Sequence, residues 1–211
     1  MTLKDRLKLI FLSFILLAAF VIFSFLVSKE LLVNIDFDTT VRLQNKIPRS
    51  FDYPLSFLSL VATFELSLLY LLSIFILVAI KYKKFFFGLF TFFVILLLEL
   101  MGKIFIFHPA PPYMFFRYVL GFSFPSSYIH TNYSYPSGHM SRTAFFIVII
   151  LFIVHKYIKN KFLRWSISLV FLGLGMSMLV SRIYLGEHWF SDVLGGILLG
   201  TSIASFSLVF W

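Results

Sequence analysis

The chain contains no cysteine, which excludes disulfides, thiolate nucleophiles and cysteine-ligated metals. Charge is also scarce. Asp, Glu, Lys and Arg make up 13% of the 211 residues, where a soluble domain carries about a quarter. Acids are the scarcer sign: 9 stand against 18 Lys and Arg, for a formal net charge of +9. The basic residues are scattered along the chain rather than gathered on one stripe, which argues against nucleic acid and suits a surface of anionic lipid. What fills the chain is apolar: 60% of residues are hydrophobic and 30 are Phe. One small soluble core cannot hide that much apolar surface, so hydrocarbon is the solvent it fits.

The sequence predicts an all-α, polytopic membrane protein with six transmembrane helices in a single domain, 1–211. A bilayer core asks for about 20 apolar residues of helix. Six segments meet this, at about 9–28, 54–80, 85–107, 137–155, 162–180 and 192–211. The first is too long for a signal-peptide core and lacks a small-residue cleavage site, so it reads as a retained anchor. Residues 29–53 suit a short helix on the membrane surface, with Asp38 or Thr39 as its N-cap. Gly196, Gly200 and Ala204 recur at four-residue spacing in the last span and let another helix approach closely. We expect internal packing there, with a homodimer as the alternative.

Basic residues set the orientation. Lys4, Arg6 and Lys8 precede the first span. Lys81, Lys83 and Lys84 fill the second turn, and Lys156, Lys159, Lys161 and Arg164 the fourth. These ten of the 18 place that side, and both termini, in the cytoplasm. The other side receives three loops that carry the chemistry.

Those loops bring Lys103 and His108, then Pro136-Ser137-Gly138-His139, then Ser181-Arg182 through His188 to Asp192, to one membrane face. Pro136-Ser137-Gly138 before an apolar run marks a helix start, and alone it is a plain cap. A helix N-terminus also binds anions, Gly138 permits close backbone approach, and His139 lies in the first turn. His188 and Asp192 share a helix face at i, i+4. The pair could simply pack at the interface. Equally, the carboxylate could fix the imidazole tautomer and leave the other nitrogen free to attack. Arg182 reads as a snorkelling side chain or as a fork for phosphate. Lys103 sits inside an apolar span, where a cation is costly unless paired or used, and Glu99 one turn earlier can hold it.

In this order the motifs resemble the type 2 phosphatidic acid phosphatase (PAP2) family, in its bacterial membrane lipid phosphatase form, which shares its site with vanadium haloperoxidases. The family pattern is Lys-x6-Arg-Pro, Pro-Ser-Gly-His and Ser-Arg-x5-His-x3-Asp. The second motif is intact at 136–139 and the third from Ser181 to Asp192. The first is partial: Lys103 and Pro111 match, but Ala110 stands at the arginine position. His108, Arg117 and Arg142 are nearby substitutes, and Arg117 is the one we expect to fold back over the site.

The resemblance, which covers about residues 36–208, implies a PAP2/haloperoxidase-like helical bundle and a site on the extracytoplasmic face. His188 would be the nucleophile, Asp192 its orienting partner and His139 the acid and base. Lys103, Arg182, Ser137 and Gly138, with Arg117, would bind the phosphate. No cofactor and no metal are expected, because side chains supply the cations. The expected partner is a lipid phosphate in the membrane, such as undecaprenyl pyrophosphate, phosphatidic acid or phosphatidylglycerol phosphate, and not a nucleic acid. A lipid phosphotransferase using the same site, or a non-enzymatic lipid-phosphate binder or transporter, are the competing readings.

Overall fold

The protein is described by a computed structural model covering residues 1–81, 86–128, 131 and 133–211. Among these, α1 (Leu3–Ser28) is followed by α2 (Val33–Lys46), α3 (Asp52–Val61), α4 (Phe64–Lys81) and α5 (Phe86–Phe105). After a long loop come α6 (Gly138–Tyr157), α7 (Lys161–Tyr184) and α8 (Phe190–Ser207). Among the described residues five helices are each long and apolar enough to cross a bilayer, and counting one bent helix pair as a single span gives six, the number expected. Lys83 and Lys84, used above to set orientation, lie outside the described residues.

Helix ends differ from the hydropathy limits because hydropathy marks the hydrocarbon, not the backbone ladder. α1 starts at Leu3, well before residue 9, since a capping box closes its first turn. The Thr2 hydroxyl accepts from the Asp5 N–H at 3.2 Å, and the Asp5 carboxylate accepts from the Thr2 N–H at 3.1 Å. α7 runs to Tyr184 rather than 180, so Ser181 and Arg182 occupy its last turn instead of a loop. Both find partners on α3: Ser181 Oγ donates to the Leu55 carbonyl at 3.0 Å, and Arg182 donates to Ser59 Oγ.

The expected single span 54–80 is broken. α3, with a 3-10 turn before it, and α4 meet at 48°. At the break Thr63 turns its Oγ1 and its N–H onto the Leu60 carbonyl, at 2.9 and 3.1 Å, and so competes with the helical ladder. The Ala62 carbonyl accepts from Arg142 Nε at 3.2 Å. The kink thus presents backbone and hydroxyl acceptors to two arginines.

The expected surface helix is α2, but neither Asp38 nor Thr39 caps it. Its N-cap position is Leu32, which makes no side-chain cap bond. Tertiary contacts fix it instead. The buried Asp36 bonds to Ser191, and Gln44 Nε2 donates to the carbonyls of Phe115 and Tyr184 at 2.7 and 2.8 Å.

α8 is the central helix, packed against α1, α5 and α6. Its small-residue face lies on α6: a Cβ at Gly196 would come within 2.6 Å of the Ser137 carbonyl, and one at Gly200 would overlap that of Ser141. Ala204 is fully buried. That face is consumed inside one chain, so it is not available to the homodimer considered above.

Candidate functional site

The site collects where α6 and α8 begin and α5 and α7 end. The backbone joins these ends directly, because the Ser137 N–H donates to the Asp192 carbonyl at 2.9 Å. Gly186, with φ +67°, turns the chain from α7 into α8. A side chain there would be strained and would also run into the Phe115 backbone. The turn delivers Glu187 and His188 over the Arg182 carbonyl, which accepts both N–H groups at 3.3 and 3.2 Å.

Beneath the long loop lies a cavity of about 670 Å³. Lys103, His139, Arg142, Arg182, Glu187, His188 and Glu99 line it, and Leu60, Phe64, Leu96 and Leu100 form an apolar flank. His188 Nδ1 is 3.1 Å from Asp192 Oδ2, which also accepts from the Trp189 N–H at 3.0 Å. The engaged Nδ1 leaves Nε2 as the ring nitrogen without a hydrogen-bond partner among the described residues. Burial, reinforced by the charges of Arg182 and Lys103, holds the His188 imidazole well below its ordinary value. It is therefore neutral at pH 7, as a nitrogen nucleophile must be.

Each cation is matched by a carboxylate or hydroxyl. Arg182 pairs with Glu187 and Ser59, while its Nε is buried without a partner. Glu99 spans two cations, at 3.2 Å from Lys103 Nζ and 2.8 Å from Arg142 Nη1. Its carboxylate occupies the space a Cβ on Gly138 would need. Gly138 therefore leaves room for Glu99, a reason additional to close backbone approach by a ligand. Ser137 caps α6 by position only: its hydroxyl is buried without a partner and its N–H is taken by Asp192. Ser137 and Gly138 do not line the cavity, whereas His139 does.

Arg117 is the correction. It stacks on the Tyr184 ring at 5.0 Å, donates to Tyr184 Oη at 3.2 Å and does not line the cavity. Its backbone N–H donates to the Leu185 carbonyl at 2.9 Å, which ties the residue to the end of α7. Ala110 does line the cavity, so the missing arginine leaves that part of the wall without charge.

A second layer lies behind Asp192 that sequence reading did not assemble. Asp36 accepts from the N–H and the hydroxyl of Ser191, both at 2.7 Å. Because the Ser191 hydroxyl donates to Asp36, its oxygen is left to accept from His108 Nε2, at 3.1 Å. Nε2 also lies 3.5 Å from Asp192 Oδ1. Burial pushes the Asp36 carboxyl up to about 6 and lowers His108, against the raising effect of Asp192. Asp36 is one acid among several in a polar segment and carries no motif, so only its burial discloses it. Among the described residues, no three His, Cys, Asp or Glu side chains gather as ligands of one ion.

A family model for the PAP2 superfamily matches residues 62–211. Phosphatidylglycerophosphatase B of Bacillus subtilis (strain 168) is 34% identical over 73 residues, 33% of this chain and 35% of that protein. That match spans about a third of the relative's length. The crystal structure of the first transmembrane PAP2 type phosphatidylglycerolphosphate phosphatase from Bacillus subtilis aligns over 93% of each chain with a TM-score of 0.73. Its sequence is 20% identical, so the likeness is one of fold.

Proposed function

The chain belongs to the PAP2 superfamily, and on that premise we propose that it is a lipid phosphate phosphatase acting through a phosphohistidine on His188. The observation that carries this is the buried His188–Asp192 pair at 3.1 Å, facing a cavity ringed by three cations. His188 Nε2 attacks phosphorus as the bond to the leaving oxygen breaks. His139 gives that oxygen its proton, then takes one from the water that cleaves the P–N bond and releases phosphate. Asp192 orients the ring and stabilises the cationic phosphoimidazole. Lys103 and Arg182 balance charge on the transferring phosphoryl oxygens. The N–H groups at the start of α6 add a positive helix end. No step calls on a metal.

A lipid substrate fits a site whose wall joins the apolar Leu60, Phe64, Leu96 and Leu100 to buried charged side chains. Phosphatidylglycerol phosphate is the first substrate to test, because both similar Bacillus proteins are named for it. Phosphatidic acid and undecaprenyl pyrophosphate form the other arms. The basic residues Lys4, Arg6, Lys8, Lys156, Lys159, Lys161 and Arg164 flank the helix ends opposite the site. By the positive-inside rule both termini are cytoplasmic and the site faces outward.

The test is phosphate release by purified protein from each lipid, with and without lipid or sugar acceptors. His188→Ala should abolish release while the protein still inserts and unfolds like the wild type. Full turnover by His188→Ala would overturn the mechanism. Release that requires an acceptor would make the protein a transferase.

A further inference from the structure

The wall of the cavity at Ala110 lacks the guanidinium that the motif pattern would put there. We propose that Arg142 supplies it, as a phosphate-binding residue reaching the same cavity from α6. This rests on the phosphatase reading above. Of the three nearby candidates, Arg117 is committed to Tyr184 and His108 lies behind Asp192, bonded to Ser191. Arg142 alone of the three lines the cavity.

Its placement is built rather than incidental. Arg142 follows His139 by three residues, so one helix face carries both. The side chain is buried, with Nε on the Ala62 carbonyl freed at the α3–α4 bend and Nη1 on Glu99. Nη2 has no hydrogen-bond partner among the described residues. A guanidinium held at two nitrogens is a pre-oriented fork, and the remaining N–H groups suit a phosphoryl oxygen. Glu99 holds Lys103 on its other oxygen. A single carboxylate thus spaces the two cations before substrate arrives and can yield Nη1 and Nζ to phosphate. Lysine at 142 would offer a single nitrogen in place of that planar fork, so the Ala62 carbonyl, Glu99 and a phosphoryl oxygen would compete for one point charge.

The experiment pairs Arg142→Gln, Arg142→Lys and the double variant Ala110→Arg/Arg142→Gln in detergent. Two readouts are used: the rise in unfolding temperature with inorganic phosphate, and kcat/KM on phosphatidic acid. Loss of one charged fork should cost Arg142→Gln about 100-fold in kcat/KM and about 10-fold in phosphate affinity. Arg142→Lys should fall in between, and the double variant should recover at least about 10-fold of the lost kcat/KM, since it restores a charged phosphate hydrogen bond. Wild-type phosphate affinity and kcat/KM in Arg142→Gln would overturn the proposal. So would a loss that a folded double variant fails to rescue, because Arg142 would then be only a brace for the α3–α4 bend. If Arg142→Gln does not fold, Arg142→Lys decides: wild-type values on both readouts overturn the proposal, and a fall in both supports it. Should the wild type release no phosphate from any lipid while phosphate binding still depends on Arg142, the phosphatase reading fails and this assignment stands.

Discussion

Gly138→Ala puts two opposing effects in one methyl group. In a helix, alanine is favoured over glycine by about 1 kcal/mol, so an open first turn would gain stability. Here the new Cβ would lie inside the van der Waals envelope of the Glu99 carboxylate. Although that group ends a flexible side chain, it is buried and tied to Arg142 at 2.8 Å and Lys103 at 3.2 Å. Moving it strains or breaks two charge-assisted bonds, each worth about 1.5–3 kcal/mol. The Lys103 bond counts for less, because its ammonium is partly exposed and recovers water. The net expectation is a loss of about 2–3 kcal/mol despite the propensity gain, and disordered cations at the cavity wall. We expect kcat/KM on phosphatidic acid to fall about 100-fold, equivalent to about 2.7 kcal/mol in transition-state binding. The unfolding temperature in detergent should fall as well. A double-mutant cycle isolates the cause: in a Glu99→Ala background Gly138→Ala should cost almost nothing further. Wild-type kcat/KM with an unchanged or raised unfolding temperature in Gly138→Ala would refute the reasoning, as would full additivity in the cycle.

Other expectations follow from the same geometry. His139→Ala should lower kcat/KM, which reports formation of the phosphoenzyme and not its hydrolysis, about 100-fold or more on a lipid phosphate and far less on an aryl phosphate with an acidic leaving group, which needs no proton; equal losses in kcat/KM on both would remove His139 as the acid. Because burial and neighbouring cations keep His188 neutral, kcat should not be lost through protonation of the nucleophile as pH falls from 8 through the usual imidazole range, and a fall in kcat on the acid side with a midpoint at 6.5 or above would contradict this. Asp36, raised to about 6, binds its proton more tightly folded than unfolded, so its contribution is fully present below about pH 4 and lost as pH rises towards 6. The wild type should therefore gain stability over Asp36→Asn on acidification across that window, and parallel melting profiles would count against it. Gly200→Ala forces a methyl onto the α6 backbone at Ser141, with Ala144 Cβ at 3.0 Å. It should destabilise by about 1–3 kcal/mol, read as a lower unfolding temperature with kcat unchanged in the surviving fraction.

Much of this protein was legible one residue at a time. Continuous apolar runs needed only bilayer thickness to become spans, and the i, i+4 step of His188 and Asp192 needed only helix geometry to become a pair at 3.1 Å. The Glu99–Lys103 contact followed from the same spacing. Where reading failed, the deciding partner lay far away in the chain. Arg117 is only six residues past Pro111, yet Tyr184 holds it by stacking, and sequence proximity has no bearing on that. The break in the second span depends on Thr63 bonding its own turn, while Arg142, 80 residues on, takes the Ala62 carbonyl.

Composition, apolar runs and motif spacing therefore determined a helical membrane protein, its membrane-crossing segments and most of the residues that meet at one end of it. These are properties of single segments in a solvent of known thickness. Tertiary structure decided what each of those residues does for its neighbours. It showed Gly138 making room for a carboxylate, Asp36 buried behind Asp192, the glycine face of α8 spent on α6, and Arg142 rather than Arg117 lining the cavity. Each of these depends on which distant side chain fills a shared space, and pairing across 43 to 155 residues leaves no periodic trace in the sequence.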